Sequence, residues 1–134
     1  MLTRHAPMPR SRLVERPPEE GSRKWLVAEL DRLTSLIVRR RDGRCVTCGA
    51  VQGLQCSHFY SRRYLSIRFN LINCNAMCST CNRRHNRDRR PYERYMRKTY
   101  GATAVAELGR LRAGLEKATD EELRETLERY EAMA

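Results

Sequence analysis

The length, composition and charge of the chain already exclude several classes of protein. Its 134 residues leave room for one domain with a modest core, since 40% are hydrophobic and 7% aromatic. No apolar run is long enough to cross a bilayer, and the opening segment MLTRHAPMPRSR lacks the apolar stretch of a secretory signal. We therefore expect a protein that is neither membrane-spanning nor exported.

The net charge of +11 is concentrated in the middle of the chain. Residues 39–98 carry fifteen Lys and Arg against three Asp and Glu, a net +12, whereas the flanking segments nearly cancel. Such a basic block predicts a polyanionic partner, most simply nucleic acid. The alternative is a solvated basic face that only maintains solubility, but this charge coincides with the cysteine motifs described below.

Residues 1–21 contain four prolines, a glycine and scattered charge, and predict a disordered or loosely docked arm. We expect residues 22–134 to form a single domain. Its first part is a helix over 22–41, with Ser22 as N-cap and apolar residues at helical spacing from Trp25 to Ile37. That apolar stripe predicts a core or dimer contact.

Residues 42–90 have short segments and turn residues instead of a long helical period. Two short strands of a hairpin are expected around Leu54–Tyr60 and Arg68–Ile72, and a helix at or just before Cys81.

Residues 91–134 predict a helical C-terminal part. Pro91 suits the first turn of a helix that Gly101 ends. A second helix carries apolar residues from Val105 to Leu115, and Thr119 begins a capping box for a third.

Two CxxC pairs, Cys45 with Cys48 and Cys78 with Cys81, are separated by 29 residues. Four thiolates in two close pairs suit a tetrahedral zinc ion, and they leave no open position for catalysis. Disulfides are the alternative, but CxxC pairs without an export signal favour zinc in a reducing compartment. We expect the remaining Cys56 and Cys74 to be small buried side chains.

His58 lies inside the loop that such a zinc would close, at the end of a predicted strand. A neutral imidazole there could take a proton from an attacking water, although a lone histidine is often only a satisfied polar residue. Asn82 is the first candidate ligand for a divalent ion, with His85, Asn86 and Asp88 as weaker ones. The alternative for these four is ordinary polar residues near a helix N-terminus.

The arginines near these motifs are candidates for phosphate binding, because guanidinium forks match phosphate oxygens. They are Arg62, Arg63, Arg68, Arg83, Arg84, Arg87, Arg89 and Arg90.

These motifs resemble HNH (ββα-metal) endonucleases, and most closely the phage NinG family, also called Rap recombination proteins. The resemblance runs loosely over residues 24–134, with its specific motifs within 37–88. It is carried by IVRRRD before the first CxxC, SHFYSR around His58, RFNLIN before the second CxxC, and Asn82 directly after it.

The resemblance implies an α+β fold with a zinc-stapled ββα-metal (HNH, His-Me finger) core between an N-terminal helix and C-terminal helices. It implies that His58 is the general base, that Asn73 braces the loop holding it, and that Asn82 is a ligand of catalytic Mg²⁺ or Mn²⁺. The two CxxC pairs match the structural Zn²⁺ ligands. Many HNH enzymes place an acidic or histidine ligand directly before the base, where this chain has Ser57.

The family implies an endonuclease that nicks or resolves branched DNA, such as Holliday junctions or D-loops, during phage recombination in the cytoplasm of a bacterial host. Symmetric cutting of two strands implies a homodimer. The alternatives are an HNH nuclease acting on linear duplex or single-stranded DNA, and a non-catalytic zinc module that only binds nucleic acid.

Overall fold

The computed structural model describes residues 16–114 and 118–134. Most of the predicted arm, residues 1–15, and Leu115 lie outside the described residues. Within the described part the chain is an α+β fold of six helices and a two-stranded sheet. The elements are α1 (Arg23–Asp42), β1 (Leu54–His58), α2 (Leu65–Arg68), β2 (Cys74–Cys78), α3 (Ser79–His85), α4 (Arg90–Tyr100), α5 (Ala102–Ala113) and α6 (Asp120–Met133).

Helix α1 begins and ends where its local sequence favours it. The Ser22 hydroxyl accepts the N–H of Trp25 at 3.2 Å, which satisfies a free helical donor. Gly43 ends the helix with φ +65°, a conformation that glycine adopts without steric cost. The apolar stripe of α1 packs against the stripe of α6 in one buried cluster, formed by Leu26, Leu30, Leu33, Ile37, Phe69, Leu123, Leu127 and Tyr130. Of the two predicted roles for the apolar stripe of α1, core or dimer contact, the structure therefore shows packing in the core of the chain.

The sheet is an antiparallel pair in which His58 lies opposite Cys74 and Leu54 opposite Cys78. One face carries Cys74 and Ala76 and packs on Val38 of α1. The other face packs on α4 and α5 through a cluster of buried residues that includes Phe59, Ile67, Met77, Tyr92, Met96, Val105 and Leu108. The sheet is thus enclosed between α1 and the C-terminal helices.

The second strand was predicted in the wrong place. Residues 65–68 form the short helix α2, and Asn70 then folds the chain into a turn, where its side-chain oxygen accepts the N–H groups of Ile72 (2.9 Å) and Asn73 (3.2 Å). An Asn side chain that bonds to the backbone just ahead of it favours a turn over a strand. The strand follows at Cys74–Cys78.

The junction between β2 and α3 is made by a cysteine. Cys78 is the N-cap of α3, and its sulfur lies 3.5 Å from the N–H of Cys81. Further on, Pro91 lies in the first turn of α4, Gly101 follows its last residue, and Thr119 and Glu122 form the capping box of α6. None of the described helices is both long enough and apolar enough to span a membrane.

Candidate functional site

The four cysteines of the CxxC pairs meet at one point. Their Sγ atoms all lie within 4.8 Å of one another, and those of Cys48 and Cys78 are 3.7 Å apart. Sulfurs at the corners of a tetrahedron with Zn–S bonds of 2.3 Å would be about 3.8 Å apart. The N–H of Val46 bonds to the carbonyl of Ala76 at 2.9 Å, which fastens the first CxxC turn to β2. This arrangement fits a structural zinc ion.

The ionisation of this cluster also favours a cation. Burial alone would raise the pKa of Cys45, but hydrogen bonds from Thr47 and from backbone N–H groups lower it to about 6. For Cys81, a bond from Thr47 lowers the pKa, whereas burial and the neighbouring cysteines raise it to about 12. Four thiols this close cannot all ionise by themselves, whereas a dication would stabilise every thiolate.

His58 is held at the end of β1 by one hydrogen bond. Its Nε2 lies 2.9 Å from the backbone carbonyl of Arg68. A carbonyl only accepts, so Nε2 carries the proton in the neutral ring and Nδ1 keeps the lone pair. Burial lowers the pKa of His58 more than the bond to Arg68 raises it. The ring is therefore neutral at pH 7 and able to accept a proton.

Asn73 braces the chain just after His58. It is fully buried, and its side-chain oxygen accepts the N–H of Tyr60 at 2.9 Å. Its Nδ2 donates to the carbonyls of Tyr60 (3.1 Å) and Ile67 (3.3 Å), and its own carbonyl accepts the N–H of Phe59. One side chain thus joins the segment after β1 to α2.

Asn82 sits on α3 beside the residue that precedes His58. Its Oδ1 accepts the hydroxyl of Ser57 at 2.8 Å, and its Nδ2 donates to Gln55 at 3.1 Å. A cleft of about 380 Å³ brings together six of the predicted site residues: His58, Arg62, Asn82, His85, Asn86 and Arg89. It is lined by Cys56, His58, Phe59, Ser61, Arg62, Asn82, His85, Asn86 and Arg89.

His85 belongs to the wall of this cleft. Its ring stacks on Phe59 and lies tilted against Tyr92, and its Nε2 lies 3.0 Å from the carbonyl of Phe59. Burial lowers its pKa. Within the described part of the chain its buried Nδ1 has no hydrogen-bond partner.

Asp88 does not share the cleft with His58. It bonds to Arg90, and this side-chain bond lowers the pKa of Asp88 to about 2. Among the described residues no carboxylate lines the cleft. Mg²⁺ and Mn²⁺ prefer carboxylate oxygens, so the neutral oxygens of Ser57 and Asn82 are a poor site for either ion on their own.

The predicted phosphate-binding arginines divide by their surroundings. Arg62 and Arg89 line the cleft, and Arg89 stacks over the ring of Phe59 at 5.0 Å. Arg83 and Arg87 line a neighbouring hollow on α3. In contrast, the side chain of Arg68 is only 18% exposed and bonds to Asp31 at 2.8 Å and 2.5 Å.

Arg68 therefore holds α1 to α2. Arg62 also pairs with Asp31, at 3.3 Å, but its side chain is 63% exposed and so remains accessible to an anion. The other three are also placed: Arg84 lines a hollow beside the cysteine cluster, Arg90 pairs with Asp88, and Arg63 stacks over Tyr64.

Cys56 and Cys74 were expected only to fill space. Cys74 is buried, but Cys56 is half-buried, and the Sγ atoms of both lie within 4.8 Å of a ring nitrogen of His58 and of each other. The spacing Cys56-x-His58, which places both side chains on one face of a strand, was the signal in the sequence.

Comparison with known proteins identifies the family. The family model described as bacteriophage Lambda NinG protein matches residues 10–134. No curated protein and no solved structure matches the chain. Because the family match covers nearly the whole sequence, this chain belongs to the NinG family of phage recombination-related proteins.

Proposed function

We propose that this protein is a DNA endonuclease that hydrolyses phosphodiester bonds, with a preference for branched DNA such as a Holliday junction or a D-loop. In this proposal β1, β2 and α3 are the ββα-metal core. The observation that carries it is His58, a neutral imidazole with a free Nδ1 lone pair in a cleft flanked by arginines. Membership of the NinG family supports the link to recombination.

The chemistry follows from what His58 and the arginines offer. Nδ1 accepts a proton from a water molecule as its oxygen attacks phosphorus. The bond to one ester oxygen then breaks, and that oxygen leaves with a proton from solvent. Negative charge builds on the phosphoryl oxygens during this step, and the guanidinium groups of Arg62 and Arg89 lie where they can stabilise it.

A divalent ion would add Lewis-acid stabilisation of the same charge. The residues present would hold it only through the neutral groups of Asn82 and Ser57, with His85 and Asn86 nearby. The described residues of the cleft therefore offer no strong site for Mg²⁺ or Mn²⁺, and DNA phosphate oxygens would have to complete one. For this reason we assign no step to the ion.

Symmetric resolution of a junction would require a two-fold dimer. The apolar stripes of α1 and α6 pack against each other within one chain. A homodimer would therefore use another surface.

The rival function is a zinc module that binds DNA without cutting it. The absence of a carboxylate among the described residues of the cleft favours this rival. The basic block is compatible with both functions, so only an assay of cutting separates them.

The test uses a labelled four-way junction and a linear duplex with the same arm sequences, each with Mg²⁺, Mn²⁺ or no added divalent ion. The wild type is compared with His58→Ala and with Val51→Ala, an exposed control. We expect the wild type to cut the junction. His58→Ala should cut it at least about 100-fold more slowly, and Val51→Ala should cut it at the wild-type rate.

Equal cutting of both substrates would support the nuclease function but overturn the preference for branched DNA. Retained junction binding without cutting by zinc-loaded wild type, under all three conditions, would overturn the nuclease and leave the binding module.

A further inference from the structure

We infer that Cys56, His58 and Cys74 form a second metal site, for a thiophilic divalent ion such as Zn²⁺, and that filling it switches off His58. The metal site stands on the geometry alone. The inhibition rests on the proposed nuclease function.

The register of the sheet builds the cluster. His58 lies directly opposite Cys74, and Cys56 is two residues before His58 on the same strand face. One ligand atom from each of the three residues lies within 4.8 Å of the other two. These spacings are close to those among the ligands of a tetrahedral ion, so binding requires only small side-chain adjustments.

The cluster is anchored on one side and open on the other. The carbonyl of Arg68 lies 2.9 Å from His58 Nε2 and 3.2 Å from Cys74 Sγ, which positions both side chains before an ion binds. As a thiolate ligand, Cys74 would exchange its bond to this carbonyl for the bond to the ion. Cys74 is fully buried. In contrast, Cys56 and His58 line both the cleft described above and a second one of about 340 Å³ beside α1. An ion can therefore enter from solvent.

The donor set selects the kind of ion. Two thiolates and an imidazole are soft and borderline ligands that favour Zn²⁺ over Mg²⁺. The two thiolate charges cancel those of a dication, so the filled site adds no net charge to a segment that already carries +12. Three protein ligands leave the fourth position free for water, unlike the closed site of the CxxC cysteines.

Metal binding and proton transfer compete for the same ring. An ion bound to His58 occupies a nitrogen lone pair and fixes the imidazole towards Cys56 and Cys74. The ring can then no longer accept a proton from water.

The direct test counts metal ions. Reduced, metal-free protein is titrated with Co²⁺ and separately with Zn²⁺, following the visible bands of tetrahedral thiolate-bound Co²⁺ and the zinc content after desalting. The wild type should bind two equivalents and Cys56→Ala one. In Cys74→Ala and His58→Ala the second equivalent should bind at least about 100-fold more weakly. Loss of a residue that only hydrogen-bonds to a metal ligand already lowers metal affinity about 10–100-fold.

The matched control is Ser61→Ala, which lies in the same cleft but has no ligand sulfur, and it should bind two equivalents. Thermal melting of each variant with one Zn²⁺ bound checks its fold, and Cys56→Ala is the main variant because Cys56 is only half-buried. One equivalent in the wild type, or two tight equivalents in folded Cys56→Ala, would overturn the second site.

Inhibition is measured as the ratio of junction-cleavage rates with one and two Zn²⁺ equivalents. The second equivalent should slow the wild type at least tenfold and leave the ratio near one for Cys56→Ala. Undiminished cutting with both equivalents bound would overturn the inhibition. A wild type that never cuts would instead overturn the proposed function, and the metal count would still stand.

Discussion

The protonation of His58 is decided by its immediate neighbours. Burial disfavours the charged ring, and the carbonyl of Arg68 fixes the proton on Nε2. Burial outweighs the bond to Arg68, which by itself would raise the pKa, so the ring is neutral with a free Nδ1, the form that a general base needs. A histidine side chain alone would not establish this, because its tautomer depends on the residue it contacts.

The pKa of His58 predicts the pH dependence of cleavage. Only the neutral ring is active, so the rate should rise as pH increases through that pKa and then level off. Because burial lowers the pKa below the ordinary value of about 6.5, the rising limb should lie on the acid side of pH 6.5. A pH profile of kcat/KM, which reports the protein without bound DNA, checks this. A midpoint above pH 7 would contradict the role of His58 as the base.

Several residues of the site were recognisable from the sequence because their signals are local. The two CxxC pairs predicted a cluster that the structure brings within metal-binding distance. The pairing of Arg68 with Asp31 was not predictable, since these residues lie 37 positions apart and no local pattern links them. Arg68 was accordingly interpreted as a phosphate ligand.

At the scale of secondary structure, local signals predicted helices better than strands. Ser22, Gly101 and the capping box at Thr119 lie at helix ends as predicted. Strand β2 was missed because its sequence, CNAMC, has no β-branched residue and has the polar, buried Asn75 as its second residue. Asn75 is tolerated there because its side chain bonds to the nearby carbonyl of Ile72 and, through tertiary contacts, to the hydroxyls of Tyr92 and Tyr100.

The connection between β1, α2 and β2 depends on Asn73, which predicts the effect of Asn73→Ala. Removing the amide leaves the N–H and carbonyl of Tyr60 and the carbonyl of Ile67 without these partners. We expect a loss of about 2–4 kcal/mol in the free energy of unfolding, measured by urea denaturation.

Asn73 positions the loop after His58 and does not contact DNA in our proposal, so kcat should fall more than junction affinity. Gln52→Ala, at an exposed loop position, should change stability by no more than about 0.5 kcal/mol. If Asn73→Ala were as stable as the wild type, the hydrogen bonds of the Asn73 side chain would contribute nothing to the free energy of unfolding.

Across the whole molecule, the basic block and the candidate site coincide. Arg62 and Arg89 line the cleft, and Arg83 on α3 and Arg87 just after it extend the positive surface. DNA lying across this surface would pass the Nδ1 of His58. Binding should therefore depend on counterion release from several phosphates at once.

This arrangement predicts a steep salt dependence. A plot of log Kd against log salt concentration should lose about one unit of slope in Arg62→Ala and in Arg89→Ala, because each removes one phosphate contact. Arg110→Ala is the control, since Arg110 lies on α5 and pairs with Glu107. Fluorescence anisotropy at several salt concentrations measures the slopes. A flat response in the wild type would refute binding through the basic block.

The pairing of α1 with α6 has a consequence for how the protein is made. Arg23 at the start of α1 bonds to Asp120 at the start of α6 at 2.7 Å, across 97 positions of sequence. During translation the apolar face of α1 leaves the ribosome long before its partner exists. Until α6 emerges, Leu26, Leu30 and Leu33 lack the apolar contacts that α6 supplies. Nascent chains that stall before α6 would therefore expose the apolar face of α1 and become substrates for chaperones and proteases.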